Sequence, residues 1–210
     1  MTGCANERKT VFKQLMSAAA LTVAAAAQAQ AVAPDALVRQ ASQEVIDAVK
    51  SDKAIQAGDA SRILALVDSK VMPHLNFEVV TRSAVGPQWR NATPEQRVRL
   101  QAEFKTLLVR VYSGALTQVK DHTVEITRTL PVQGSTQIVV QSEVKSKGEP
   151  IKLDYRLDKF DSAWKIIDVN VGGIWLVQSY RSQFGQVLSS GGIDALITRL
   201  AEQNKTNAKS

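Results

Sequence analysis

Cysteine occurs once in these 210 residues, at Cys4, and histidine only at His74 and His122. A lone cysteine excludes a disulfide frame within the chain and a thiolate metal site. Two widely separated histidines give no His-Glu-x-x-His pair, and there is neither a glycine-rich phosphate loop nor a nucleophile elbow. Beyond the first thirty residues no 18-residue run is apolar enough to read as a membrane span. Six prolines and eleven glycines are too few for a collagenous or low-complexity chain. What is present is 44% hydrophobic and 22% charged, the balance of a globular domain long enough to bury a core.

The first residues have the pattern of an export signal. Arg8, Lys9 and Lys13 form a basic region, and Leu15 to Ala27 is thirteen uncharged residues rich in alanine and leucine. Ala27-Gln28-Ala29 and Ala29-Gln30-Ala31 both fit small-x-small cleavage, and the apolar run is too short to span a bilayer. Thr2-Gly3-Cys4 resembles the end of a lipoprotein box, but such a box follows the apolar run, and here it precedes it. Residues 1–31 are therefore expected to be a signal peptide. Their removal leaves 23 basic and 19 acidic residues, net +4, and no cysteine. Scattered charge of that size does not suggest a nucleic-acid groove. It is compatible with weak attraction to anionic lipid or an acidic partner.

The remainder reads as helices, then strands, then helices. Pro34 to Lys50 predicts a helix with Val38, Ala41, Val45 and Val49 on one stripe. Asp59 or Ser61 can cap a second helix that Pro73 ends, and Glu78 to Val85 predicts a short helix or turn stopped by Gly86-Pro87. Thr93-Pro94-Glu95-Gln96 is a capping box with proline at the first helical position. It opens a long helix to about Val119, with Leu100, Phe104, Leu107, Leu108, Val111, Ala115 and Val119 on one face. The period then changes to two. Val124, Ile126 and Leu130 share one parity, then Ile138, Val140, Ser142 and Val144, then Ile151, Leu153, Tyr155 and Leu157. In the fourth strand Trp164 and Ile166 point one way and Ile167, Val169 and Val171 the other. After Gly172-Gly173 helical periodicity returns in two stripes, divided at Gly191-Gly192. The expected fold is α+β: a four-stranded twisted antiparallel meander packed with helices from both ends of the chain and enclosing an apolar cavity. One domain is expected over residues 32–203, with residues 204–210 a disordered tail.

Chemistry-bearing residues are sparse. His74 or His122 could sit beside a carboxylate, and Asp168, inside an apolar strand, is either a base with a raised pKa or a side chain tied to backbone N–H groups or an arginine. The aromatic residues each read as core. Together with a curved sheet and a long helix laid across it, they outline a wedge-shaped interior that either fills with side chains or holds a ligand.

Several segments carry a resemblance. Trp89-Arg90-Asn91-Ala92-Thr93-Pro94-Glu95-Gln96-Arg97, Trp164-Lys165-Ile166-Ile167-Asp168-Val169, Tyr180-Arg181-Ser182-Gln183-Phe184 and Gly192-Ile193-Asp194-Ala195-Leu196-Ile197 resemble blocks of the MlaC-type periplasmic phospholipid-binding proteins, also called the toluene-tolerance family. Val71-Met72-Pro73-His74-Leu75-Asn76-Phe77 is similar, with Asn76 where the family usually has Asp. Gly172, Trp175 and Ser179 depart from the common acidic residue, serine and asparagine. The resemblance implies a periplasmic, non-enzymatic, cofactor-free carrier that moves glycerophospholipid between outer and inner membranes and so maintains outer-membrane lipid asymmetry. It also implies exchange with an outer-membrane lipoprotein–porin complex and with the substrate-binding subunit of an inner-membrane ABC transporter, which hydrolyses the ATP. A monomer is expected.

In that setting the acyl tails are expected between the long helix and the sheet. Phe104, Leu107, Leu108 and Val111 would line the helix side, and Val140, Tyr155, Val169 and Val171 the strand side. Phe77, Ile174 and Phe184 join the lining from the segments that carry the resemblance, and Tyr112 and Tyr180 suit the mouth, where a ring meets the tails and a hydroxyl meets water. Arg90, Arg97 and Arg181 form a candidate head-group or docking rim, the alternative being that they pair with helix ends or carboxylates. Few polar groups are available to read a head group, so poor discrimination is expected. Two other classes stay open from the residues: an enzyme on a cone-shaped α+β scaffold with His122 or Asp168 as base, and a periplasmic chaperone or adaptor whose interior is only core. The export reading has a direct test. N-terminal sequencing of the secreted protein should begin at Gln30 or Val32, and a chain starting at Met1 or at a lipidated Cys4 would contradict it.

Overall fold

A computed structural model describes residues 32–146 and 148–206. The expected signal peptide, residues 1–31, lies outside the described residues. Helix α1 (Pro34–Ser51) starts with proline at N1 and Asp35 in its first turn, and buries Leu37, Val38, Ile46 and Val49. Asp52 caps the single turn α2 (Lys53–Gln56) by accepting from the Ala54 and Ile55 N–H groups, and also takes the Arg62 guanidinium. Asp59, rather than Ser61, caps α3 (Ala60–Leu66). The chain then widens into a π-helical turn, Val67–Val71, and tightens into a 3₁₀ turn, Met72–His74. Asn76 caps α4 (Phe77–Val85), its side-chain oxygen accepting from the Val79 N–H at 3.2 Å.

The capping box forms as the sequence predicts. Gln96 N–H donates to Thr93 Oγ1 at 3.2 Å and Thr93 N–H to Gln96 Oε1 at 2.9 Å, opening α5 (Pro94–Gln118). The Gln96 amide also donates to Asp194 Oδ1 at 2.8 Å, tying α5 to α6 (Leu176–Thr206). Gly192, at φ 69°, breaks α6 into two helical pieces, a backbone angle that suits glycine. Residues 204–206, expected to belong to a disordered tail, instead continue α6 to Thr206, and Asn204, 5% exposed, donates to the Glu103 carbonyl at 3.0 Å and its carboxylate at 2.7 Å; residues 207–210 lie outside the described residues.

The sheet is antiparallel in the order β1 (Thr123–Pro131), β2 (Ile138–Lys145), β3 (Ile151–Phe160), β4 (Ala163–Val171), β5 (Ile174–Trp175). Five strands replace the expected four. Gly172 and Gly173, both at positive φ, turn the chain back so that Ile174 and Trp175 pair with Val171 and Asn170. The Arg156 guanidinium lies 4.4 Å over the Trp175 ring, which gives the unusual tryptophan a local partner. Two irregularities reset the alternation. Ile126 faces Ser142 but Arg128 faces Gln141, so Leu130 moves to the outer parity and is 42% exposed. Leu157 faces Ile166 but Arg156 faces Asp168, so Val169 rejoins Ile166 against one core cluster instead of opposing it.

The core has three parts. Helices α4, α5 and α6 enclose the largest, centred on Phe104, whose ring lies 4.9 Å from Tyr180, 5.1 Å from Phe184 and 5.8 Å from Phe77. A second joins α1, α3 and α5 through Val49, Ile63, Leu66 and Val109. The third seats α1 on the sheet through Leu37, Val38, Val140, Leu157 and Ile166. The long helix packs mainly against α6, α4 and α3, whereas α1 covers β1 and β2, and α4 and α6 cover β4. The expectation of α5 across the sheet is therefore corrected. That helix buries two faces, with Leu100, Phe104 and Leu107 on one side and Val109 on the other.

Asp168 serves the start of α6. Its Oδ1 accepts from the Val177 N–H at 3.0 Å and the Val169 N–H at 2.9 Å, placing a carboxylate at a helix N-terminus. Burial raises its pKa from the ordinary 3.8, with the two N–H donors and Arg156 pulling the other way. A raised native pKa means that the folded state binds this proton more tightly. The stabilisation from that proton is present below pH 3.8 and lost as pH rises through the native value. Asp168→Asn keeps an acceptor for both donors without the charge. It should match or exceed the parent in denaturant stability at pH 7, and the two should converge below about pH 4. Asp168→Ala leaves both donors open and should cost about 1–3 kcal/mol.

Candidate functional site

Where α1 leaves the sheet, an apolar cleft of ≈ 210 Å³ opens. Ala41, Val45 and Ile46 form its α1 wall, and Val71 and Leu75 come from the π and 3₁₀ turns. Leu116 and Val119 close the end near the C-terminus of α5, and the floor is Val124, Val144, Leu153, Tyr155 and Ile166, from four strands. The floor follows from alternation, since these side chains share one face of the sheet. Its buried polar group is the Tyr155 hydroxyl; burial pushes the phenol pKa up, with the Ser42 and Ser142 side chains acting the other way. Ser142 in turn donates to the Leu153 carbonyl at 2.8 Å.

A smaller cleft of ≈ 50 Å³ lies on the other side of Leu75 and Ile166, which line both. Those two residues form an isolated parallel bridge, and the Asn76 N–H donates to the Ile166 carbonyl at 3.0 Å. Phe77, Val80, Phe104, Leu108, Val169, Leu176 and Val177 add apolar wall to this second space, and Asp168 is its one charged lining residue.

The candidate residues are thus divided. Tyr155 lines the larger cleft, and Phe77, Phe104, Leu108 and Val169 the smaller. Val140 is buried under α1, and Leu107, Tyr180 and Phe184 lie in the helical cluster. Val171 is half-buried between Leu153 and Ile174. Val111 and Ile174 are 52% and 61% exposed and line neither cleft. They differ from the sequence reading because α5 turns that flank outward and Ile174 sits in the short edge strand β5 with its side chain exposed. Tyr112 is half-buried, and its neighbour Tyr180 is pushed up to about 12, mainly by burial and secondarily by Tyr112.

The three arginines gather at the α4–α5 corner and line neither cleft. Arg97 sits 5.4 Å over the Trp89 ring and donates to the Trp89 carbonyl at 3.3 Å. Arg181 lies against Gly86, where an added Cβ would be 3.4 Å from its Nε. Arg90 is exposed. The cleft edge carries other donors, Lys70 and His74, which sequence reasoning did not single out for a ligand. Nothing in the spacing marks them, because the π turn that presents Lys70 and the 3₁₀ turn that presents His74 have no signature in hydrophobic periodicity. Among the described residues no group of three or more His, Asp or Glu side chains could hold a metal ion, and no helix is long and apolar enough to cross a membrane.

Comparison with known proteins agrees with this architecture. A solved phospholipid-binding protein from Ralstonia solanacearum, in complex with a phospholipid, is 38% identical with a TM-score of 0.79, covering 83% of this chain and 98% of that one. The intermembrane phospholipid transport system binding protein MlaC of Haemophilus influenzae is 21% identical over 197 residues, 92% of this chain and 91% of the relative. The toluene tolerance protein ttg2D of Pseudomonas putida is 23% identical over 162 residues, 77% and 75% of the two chains. A family model described as MlaC protein matches residues 39–202, and the chain accordingly belongs to the MlaC family.

Proposed function

We propose that the protein is a periplasmic carrier that binds glycerophospholipid by its acyl tails and moves it between the outer and inner membranes. The observation that carries this reading is an apolar cleft between α1 and the sheet, in a chain 38% identical to a protein solved with a phospholipid. The physical need is plain. Two tails of about 16 carbons represent roughly 25 kcal/mol of exposure to water at about 0.8 kcal/mol per CH₂. A lipid crosses an aqueous compartment at a useful rate only inside a dry sleeve.

The cleft of ≈ 210 Å³ is below the roughly 300–1,000 Å³ of ordinary ligand pockets. Taking a diacyl lipid therefore requires its walls to part, and the space across Leu75 and Ile166 is the adjoining apolar volume. The backbone bridge at Leu75–Ile166 and the Lys165 side chain on the Pro73 carbonyl join the 3₁₀ turn to β4 and are what that movement would have to strain. In this reading the protein exchanges lipid with an outer-membrane lipoprotein–porin complex and with the substrate-binding subunit of an inner-membrane ABC transporter, while ATP is hydrolysed by the transporter. Residues 1–31 serve as the export signal.

Native mass spectrometry of the purified protein tests the reading. The parent should carry phospholipid, and Ala41→Trp, which places an indole in the larger cleft from a half-buried helical position, should lower occupancy at least about fivefold while keeping a cooperative unfolding transition. Loss in Leu108→Trp with full occupancy in Ala41→Trp would move the tails to the smaller cleft. A parent that carries no phospholipid and takes none up from labelled vesicles would overturn the carrier reading.

A further inference from the structure

We infer that Lys70, His74 and Glu44 form a head-group site on the rim of the larger cleft, one that reads a phosphate ester carrying a nearby ammonium group. The inference rests on the carrier reading and deepens it by naming the class of lipid. Lys70 and His74 are the nitrogen-bearing side chains of a cleft otherwise lined by hydrocarbon, one tyrosine and one serine. A tail that enters the cleft must leave its phosphate at the polar edge, because burying that charge without partners is far costlier than leaving it at a wet rim. At that edge an ammonium and an imidazole N–H can both donate to phosphate oxygens.

Three other cations of the helical layer are already committed. Lys105 holds Asp68 at 2.7 Å, Arg62 is taken by Asp52, and Arg97 by the Trp89 ring and carbonyl. Lys70 is held more loosely. Its Nζ lies 3.6 Å from Glu44 Oε2, beyond hydrogen-bond length, and the two side chains are 43% and 32% exposed. An incoming phosphate can take Lys70 at little cost to that pair. Behind it Lys165 Nζ donates to the Pro73 carbonyl at 2.6 Å, which holds the turn and brings a second lysine to the backbone next to His74.

Glu44 gives the site its second half. Its carboxyl is held below the usual range, first by the Gln40 amide and then by Lys70 and His74, so it stays ionised at the rim. A head group that is only anionic would meet this carboxylate as a like charge. One that places an ammonium next to its phosphate replaces the lysine that the phosphate draws away, and every charge keeps a partner. Phosphoethanolamine has that arrangement and phosphoglycerol does not.

The test is uptake by the full protein from vesicles of phosphatidylethanolamine and, separately, phosphatidylglycerol, read by native mass spectrometry. The parent should favour phosphatidylethanolamine by about three- to fivefold, the range of a partly exposed charge interaction. Glu44→Gln should abolish the preference, and Lys70→Gln should reduce uptake of both lipids by a similar factor. Both positions are partly exposed, and matched unfolding midpoints would show that the variants fold. Equal uptake of the two lipids by the parent, or a preference unchanged in both variants, would overturn the head-group site and leave the carrier reading intact. Uptake of neither lipid by the parent would overturn the carrier reading itself. Displacement of bound lipid by equimolar soluble glycerophosphoethanolamine would overturn the assignment to a lipid head group, because the soluble head group would then be the ligand.

Discussion

The packing of Phe104 against Tyr180, Phe184 and Phe77 holds three helices together without help from the sheet. Each edge-on or tilted aromatic pair adds about 0.5–1.5 kcal/mol beyond the area it buries. Concentrating the apolar mass there has a structural consequence. The sheet is left with a smaller set of contacts to α1, and a stretch of its inner face from Val124 to Ile166 need not be filled to keep the domain folded. A protein that must both fold and leave apolar surface uncovered can do so by separating the two tasks in space.

The division is visible in α5. Its N-terminal half belongs to the aromatic cluster through Leu100 and Phe104, and its C-terminal end supplies Leu116 to the cleft. Gln96 on Asp194 and Asn204 on Glu103 bind the two ends of the second piece of α6, the one after Gly192, to this helix. The sheet joins these helices through the Leu75–Ile166 bridge and the carboxylate that caps α6. Those are the places where movement of one layer relative to the other would be felt.

Much of this was legible from residue order. The capping box, the alternation in β2 and β3, and the glycine break before Ile193 each depend on local chemistry that a short window contains. The failures share a different cause. Strict alternation puts Leu130 inside and sets Ile166 against Val169, because a single unpaired residue in a strand leaves no trace in composition, yet it exchanges the faces of everything after it. Val111 was assigned to the interior because a helix with one strong stripe was taken to have one partner, whereas α5 has neighbours on two sides. Lys70 and His74 went unrecognised as a pair, since their meeting at the cleft depends on the irregular turn between α3 and α4.

That turn has an effect of its own. In Val67–Val71 the backbone hydrogen bonds close one residue later than in an α-helix, so the winding carries one extra residue. Each helical residue advances the direction of its side chain by about 100°, and one residue more in the count rotates all that follows by roughly that angle. The segment is thus a phase shifter. Leu66 and Val67 stay with Val109 in the helical interior, Val71 packs against that cluster and also lines the cleft, and Lys70, within the same few residues, reaches the cleft edge. What matters at this point in the chain is the number of residues as much as their identity, and a deletion of one would re-aim the rim without altering any side chain on it.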